Sequence, residues 1–399
     1  MCGIAGFAGE GSRDVLERMA EVLRHRGPDD AGYFFQPGTV GFGFRRLAII
    51  DLATGHQPLF NEDHSIAVML NGEIYNFKEL RESLSPRHLF RSSGDTEVLV
   101  HLYEEDGVGM LEKLNGMFAF ALWDSRRQTL ILARDRLGKK PLYWSQTGRT
   151  LIFGSELKAI LAHPLVRREI NPEALLSYFA YEYVPAPQSI FTNIHKLEPA
   201  HALIFRDGKA TLQQYWDVPV GNTFAIAERE ALERLESELD RAVRMRLVSD
   251  VPVGVFLSGG IDSATVTYFA QRHSPRPMKS FSIGFAEEEF DEAPVAKRVA
   301  KQLGTEHREY RFGVRDFLES IPAIFQGLDE PLADASLIPT YVLARFARGE
   351  VTVALGGDGG DELFWGYPTF SAYRLAGLYR RLPQSLRAAV IEPMVRLLP

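Results

Sequence analysis

The apolar run Val253-Gly254-Val255-Phe256-Leu257 leads straight into Ser258-Gly259-Gly260-Ile261-Asp262-Ser263 and then into a helix-compatible stretch. A short continuous apolar run bounded by glycine reads as a buried strand. Two glycines let the backbone approach an anion closely, and the N-terminus of the next helix turns its amides toward it. Ser258 and Ser263 can add hydroxyl donors, whereas Asp262 would repel a bare phosphate. Its presence makes sense with Mg²⁺ between carboxylate and phosphate. The plainer alternative is a strand–turn–helix junction with Ser or Asp as a cap. No Gly-Lys-Ser/Thr follows, so this is not a Walker loop.

The same texture continues downstream. Strands are expected at 280–285 and 351–355, and helices at 263–271, 292–303, 317–325 and 339–346. Alternating strand and helix predicts a doubly wound parallel sheet, whose ligands bind beyond the carboxyl ends of the strands. There the second glycine-rich stretch, Gly356-Gly357-Asp358-Gly359-Gly360-Asp361-Glu362, would join the first. Asp262 and Asp361 could then share one Mg²⁺. Asp329, Glu330, Asp334 and Ser336 supply either further polar groups or a turn and helix cap.

The first part of the chain differs. Short strands at 41–44, 66–70, 117–123, 129–133 and 151–153 alternate with turns and with helices at 15–23, 77–84 and 96–105. This mixture predicts an α+β domain with antiparallel sheet. A Pro/Gly-containing linker at 218–223 precedes an amphipathic helix expected over 227–247. The domain reading is 1–212, a linker at 213–226, and 227–399.

The 399 residues contain one cysteine, Cys2, and carry a formal net charge of −7. No basic excess exists to neutralise nucleic-acid phosphates. One cysteine forms no internal disulfide, no signal-peptide pattern is visible, and the apolar run 117–123 is too short for a bilayer. The expectation is a soluble cytoplasmic protein with neither nucleic-acid nor membrane partner. Once the initiator methionine is removed, Cys2 would hold a thiol and a free α-amine on one residue. Such an amine has a pKa of roughly 7.7–8.0 and can act as a base for its own nucleophile.

Ordered segments then carry a resemblance. Cys2-Gly3-Ile4-Ala5-Gly6, Arg24-His25-Arg26-Gly27-Pro28-Asp29, Arg46-Leu47-Ala48-Ile49-Ile50-Asp51, Asn71-Gly72-Glu73-Ile74-Tyr75-Asn76 and Ser93-Gly94-Asp95-Thr96-Glu97 resemble the N-terminal-nucleophile (class II) glutamine amidotransferases. With Ala133-Arg134-Asp135-Arg136-Leu137-Gly138, Ser155-Glu156-Leu157-Lys158 and the Ser-Gly-Gly-Ile-Asp-Ser loop, the chain resembles the glutamine-hydrolysing asparagine synthetase family. That loop is similar to the pyrophosphate loop of the ATP pyrophosphatases (PP-loop family). The resemblance implies an αββα N-terminal-nucleophile sandwich followed by a PP-loop domain.

It also implies roles. Cys2 attacks the glutamine amide, and the Asn71 side chain with the Gly72 amide forms the oxyanion hole. Arg46 holds the substrate carboxylate, Asp95 and Glu73 the ammonium, and Leu47, Ile49 and Ile50 complete the pocket. Ser258, Gly259, Gly260, Asp262 and Ser263 match the pyrophosphate loop of the ATP site, and Gly356 is a further ATP-binding position of that site. Leu257, Ile283 and Gly357 match its adenosine side, and Asp358 the acid assigned to the acyl-adenylate step. Relatives often carry Glu at Asp358 and Ser at Gly356. His25 is read as a loop residue. The implied substrates are glutamine, ATP and aspartate, with Mg²⁺ as cofactor and a homodimer among the partners. Family members continue past residue 399, so the amphipathic stretch 388–399 is expected to need a partner surface. Three alternatives stay open: an amidotransferase acting on another carboxylate of a peptide or surface polymer, a bare glutaminase, and a non-catalytic nucleotide-sensing scaffold.

Overall fold

A computed structural model describes residues 1–221, 225–289 and 291–395; the end of the 218–223 linker and the last four residues of the stretch 388–399 lie outside them. The chain divides into two compact units, Met1–Val253 with Phe312–Val353, and Gly254–Arg311 with Ala354–Pro399. The helix Glu228–Arg246 and the segment Phe312–Val353 therefore fall with the first unit, although both follow the linker in sequence.

Among the described residues, the sheets of the first unit are built on twelve strands. They are β1 (Gly3–Ala8), β2 (Asp30–Gln36), β3 (Val40–Arg46), β4 (Leu59–Phe60), β5 (Ile66–Ile74) and β6 (Gly116–Asp124), then β7 (Thr129–Arg134), β8 (Tyr143–Thr147), β9 (Thr150–Gly154), β10 (His195–Lys196), β11 (His201–Arg206) and β12 (Lys209–Gln214). Two antiparallel six-stranded sheets result, in the orders β10-β8-β9-β1-β3-β2 and β12-β11-β7-β6-β5-β4.

The layering follows from strand alternation, because successive side chains leave a strand on opposite faces. On β1, Ile4 and Ala8 join Phe42, Phe44, Met69, Ala119, Ala121 and Phe153 between the sheets. Ala5 and Phe7 point the other way, onto Leu16 and Met19 of helix Arg13–Glu21 and Ile160 of helix Leu157–Leu161. On β6, Phe118 and Phe120 face outward with Val68 and Leu70 onto Leu99 and Leu102 of helix Val98–Asp106. Both faces of each sheet are thus covered, giving α, β, β and α layers. This is why β5 and β6 read as near-continuous apolar runs rather than alternating ones. Truncating Phe120 or Phe153, both fully buried, to alanine would cost about 3–5 kcal/mol.

The second sheet system contains β13 (Val253–Phe256), β14 (Lys279–Gly284), β15 (Glu306–Arg311) and β16 (Val353–Leu355), in the order β15-β14-β13-β16. β13 pairs in parallel with β14, and β14 with β15. Helices Ile261–His273 and Ala293–Leu303 cross between them. The order reverses between β13 and β16, which makes their carboxyl ends the topological switch point. β15 was not expected: Glu-His-Arg-Glu-Tyr-Arg has no apolar signature, and the strand is largely exposed. The Glu228–Arg246 helix forms as expected but leaves Leu232 58% exposed, while Val243 is buried. Among the described residues no helix is long and apolar enough to cross a membrane.

Candidate active site

Cys2 sits immediately before β1 and is drawn into the sheet. The Leu47 N–H donates to its Sγ at 3.4 Å, and the thiol donates to the Leu47 carbonyl oxygen at 3.6 Å. Arg26 Nε donates to the Cys2 carbonyl oxygen at 2.9 Å. Arg26 in turn donates to Glu156 at 2.8 Å, and His25 Nε2 lies 2.9 Å from the same oxygen. Burial alone would raise the Glu156 carboxyl, but hydrogen bonds from His25 and Arg26 hold it down at about 2. The neighbouring Ser155 pins β1, taking the Ile4 N–H at 3.0 Å on its hydroxyl. His25, read from sequence as a loop residue, thus belongs to the chain of contacts that fixes the Cys2 backbone.

Burial pushes the Cys2 thiol above its ordinary value, opposed by the Leu47 hydrogen bond. The Met1 amine is depressed from 8.0 to about 6, chiefly by burial and then, against the pull of Cys2, by the Arg26 and Lys140 cations. The depressed amine is that of Met1; the Cys2 nitrogen is held in its peptide bond until Met1 is removed.

Asn71 lies on β5 opposite Ala119 and is completely buried. Neither its Nδ2 nor its Oδ1 has a hydrogen-bond partner. A buried amide with no partner is costly, by about 1–3 kcal/mol. Gly72 follows at φ +156°, and a Cβ there would lie 2.1 Å from the Met117 carbonyl oxygen, so only glycine fits.

Glu73 and Asp95 form an acidic pair. Burial first, then repulsion from Asp95, raises Glu73 from 4.5 to about 7. Burial raises Asp95 from 3.8 to about 6, opposed by the Ile74 N–H, which donates to Oδ2 at 2.8 Å. The Lys140 and Arg246 charges draw Glu73 back down, and Arg46 does so for Asp95, but burial outweighs them at both carboxyls.

Arg46, at the end of β3, is buried and donates to the carbonyl oxygens of Asp51 at 2.5 Å and Ile50 at 3.2 Å. Those bonds fold the Leu47–Ile50 loop around the guanidinium. Asp51 fastens this loop to the next: its Oδ2 accepts from the Ser93 N–H at 2.9 Å and the Gly94 N–H at 3.0 Å, just before Asp95. Asp250 Oδ2 accepts the Asp51 N–H at 2.7 Å, and the Asp250 N–H donates to the Ile49 carbonyl oxygen at 2.9 Å. Sequence reasoning gave no role to Arg26, Asp51 or Asp250. Arg26 and Asp51 lie inside quoted motifs, and Asp250 carries no local signal at all.

In the second unit, Leu257 and Ser258 leave β13, Ile283 lies near the end of β14, and Gly356, Gly357 and Asp358 leave β16. All are at the carboxyl edge of the sheet. The loop is tied internally: Ser263 Oγ accepts the Ser258 N–H at 3.1 Å, and Ser258 Oγ accepts the Gly260 N–H at 3.1 Å. The Gly259 N–H donates to the Glu292 carboxylate at 3.1 Å, so this amide already holds an anion. The two glycine loops meet closely. A Cβ at Gly357 would lie 2.6 Å from the Ser263 nitrogen, and one at Gly360 only 2.3 Å from Asp262 Oδ2. Asp361 turns a carboxylate oxygen toward Gly366, where a Cβ would lie 1.8 Å away. Asp329 and Glu330 instead pair with Lys158 at 3.1 Å and Lys196 at 2.5 Å in the first unit. Asp334 caps the following turn, accepting from Ser336 N–H and hydroxyl at 2.8 and 2.7 Å.

Known proteins match both parts. Residues 1–216 match the glutamine amidotransferase domain family, and residues 234–398 the asparagine synthase family. A Methanocaldococcus jannaschii protein provisionally named asparagine synthetase [glutamine-hydrolyzing] 2 is 40% identical over 97% of this chain and 79% of its own length. Asparagine synthetase [glutamine-hydrolyzing] 1 of Bacillus subtilis is 36% identical over 98% of this chain, which spans 63% of that protein. A Penicillium rubens protein named amidase chyE is 32% identical over 93% of this chain and 60% of its own length. This chain belongs to the glutamine-hydrolysing asparagine synthetase family, a glutamine amidotransferase domain followed by an asparagine synthase domain.

Proposed function

We propose that this chain hydrolyses glutamine at Cys2 and uses MgATP to convert a carboxylate, in the first place the β-carboxylate of aspartate, into its amide. The observation that carries the reading is Asn71, fully buried with both side-chain polar atoms unpartnered. With Met1 removed, the Cys2 amine takes the thiol proton and the sulfur attacks the glutamine Cδ. Negative charge collects on the amide oxygen, where Asn71 Nδ2 and the Gly72 amide supply donors; one such donor is worth about 10²–10³ in kcat. The Cys2 ammonium returns its proton to the amide nitrogen, so collapse expels ammonia and leaves a thioester, which water cleaves to glutamate. Arg46 clamps the glutamine carboxylate within the Leu47, Ile49 and Ile50 loop, and the Glu73–Asp95 pair takes its ammonium.

In the asparagine synthase half, Ser258, Gly259, Gly260 and Ser263 hold the ATP phosphates, with Gly356 beside them. Leu257, Ile283 and Gly357 line the adenosine. The acceptor carboxylate attacks the α-phosphorus and pyrophosphate leaves. Ammonia then displaces AMP, with Asp358 at the acyl-adenylate. The Gly259 amide, already occupied by a carboxylate, suits a phosphate oxygen. Asp262 and Asp361 are oxygen ligands of the kind Mg²⁺ takes, and the ion would screen them from the phosphates. The working assembly is a cytoplasmic homodimer acting on glutamine, ATP and aspartate, with domains at 1–212 and 227–399.

A second reading changes only the acceptor. A relative named amidase supports it. The test is incubation with glutamine, with and without ATP, Mg²⁺ and aspartate, reading glutamate, AMP and asparagine. Asparagine with AMP supports the first reading. AMP only with another acid supports the second. Glutamate without AMP leaves a glutaminase, and neither product refutes both.

A further inference from the structure

Four metal-ligating side chains converge away from the glutamine-binding residues. Glu62 follows β4, His88 and Phe90 lie beyond helix Phe77–Leu84, and His101 and Glu104 sit on helix Val98–Asp106. One donor atom from each of Glu62, His88, His101 and Glu104 lies within 4.8 Å of all the others. The His101 side chain is 0% exposed and that of His88 11%. Their rings are 4.6 Å apart between centroids, and Phe90 closes over His101 edge-on.

Both imidazoles turn Nδ1 to the same carboxylates. His88 Nδ1 is 3.5 Å from Glu62 Oε1 and 3.5 Å from Glu104 Oε2. His101 Nδ1 is 3.7 Å from Glu62 Oε2 and 3.1 Å from Glu104 Oε2. A tetrahedral ion with bonds of about 2.0–2.1 Å has ligand–ligand edges of about 3.3–3.4 Å. The two imidazole–Glu104 separations, to one oxygen, lie on either side of that value, and each imidazole meets a different oxygen of Glu62.

The outer contacts are also in place. Glu62 Oε1 accepts the Leu89 N–H at 3.0 Å, Glu104 Oε1 accepts from Asn61 Nδ2 at 2.8 Å, and His88 Nε2 pairs with Glu105 at 2.9 Å. His101 Nε2 is the exception. It is buried without a hydrogen-bond partner, with Glu97 Oε1 3.9 Å away. An imidazole donating from Nδ1 to Glu104 would turn its bare Nε2 lone pair toward that carboxylate. A metal on Nδ1 moves the proton to Nε2 and converts the repulsion into attraction, the usual arrangement behind a metal-bound histidine.

We propose that Glu62, His88, His101 and Glu104 form a closed structural site for one divalent first-row ion, of which Zn²⁺ suits two imidazole nitrogens and two carboxylate oxygens best. The ion ties the connection between β4 and β5, and helix Val98–Asp106, to the segment that carries His88 and runs into that helix. That segment includes Ser93 and Gly94, which hold Asp51, and Asp95 itself. The site therefore buttresses the glutamine pocket without touching substrate.

The test is metal binding by the full chain. Protein stripped with chelator and exchanged is titrated with Zn²⁺, desalted and assayed for metal, then followed by thermal unfolding. One retained Zn²⁺ per chain, a raised Tm and no displacement by millimolar Mg²⁺ are expected. The double variant Glu62→Gln, Glu104→Gln keeps amide oxygens for Leu89 and Asn61. It should lose at least ~10-fold in affinity while unfolding at the Tm of stripped wild-type protein. No Zn²⁺ retained by wild type, or equal retention by the double variant, overturns the proposal. Should the variant not fold, the Co²⁺ spectrum of wild type decides: strong four-coordinate visible bands support the site, and a weak octahedral spectrum refutes it.

Discussion

Replacing Asp95 by asparagine should stabilise the free protein at alkaline pH while removing glutamine use. A carboxyl whose pKa rises on folding binds its proton more tightly in the folded chain. Its contribution is complete below the unfolded value and is lost as pH rises through the folded one. For Asp95 that window runs from 3.8 to about 6. The gap corresponds to about 3 kcal/mol of destabilisation once the group is ionised. Asparagine cannot ionise, and its side-chain oxygen can still accept the Ile74 N–H. The variant should therefore gain up to about 3 kcal/mol at pH 8 but only about 1 kcal/mol at pH 4.5. Glu73, relieved of its neighbour, should titrate lower in the variant. Thermal unfolding at the two pH values measures the difference. At about 2–4 °C per kcal/mol, the Tm advantage of the variant should shrink by several degrees on acidification. Glutamine should raise the Tm of wild type at pH 8 and leave the variant unmoved. An advantage that is absent, or equal at both pH values, would refute the raised acidic pair as the ammonium site.

Three further outcomes are expected. Asn71→Ala should lower kcat for glutamine by about 10²–10³ and leave Tm unchanged or slightly higher, because the side chain makes no hydrogen bond in the free protein. A chain that keeps Met1, or Cys2→Ala, should lose glutaminase activity in a glutamate assay yet keep ammonia-dependent amide synthesis; loss of both would remove the two-site reaction. Asp250→Ala should raise KM for glutamine by about tenfold, the equivalent of one lost charged hydrogen bond, with a smaller change in kcat, because it frees the Asp51 amide without touching substrate, while the backbone N–H at 250 still donates to the Ile49 carbonyl oxygen.

The limits of sequence reading here have a physical pattern. The stretches 66–70 of β5 and 117–123 of β6 are legible because both faces are buried, so their residues are apolar wherever they point. β15 is held by its pairing with β14 through the backbone, which any side chain permits, and its six exposed or half-exposed residues announce nothing. The site divides in the same way. Cys2, Asn71 and the Ser258–Ser263 loop stand out because they lie in the short motifs that carry the family resemblance. The groups that hold them are not, because any acceptor with the right reach serves and its distance along the chain is free. Asp250 reaches Asp51 across 199 positions, and Glu156 reaches Arg26 across 130. The four-residue metal cluster is the extreme case. Its ligands lie at 62, 88, 101 and 104, where only the last pair has helical spacing. Nothing along the chain distinguishes His88 from a surface histidine until the fold turns its Nδ1 onto the carboxylates that face His101.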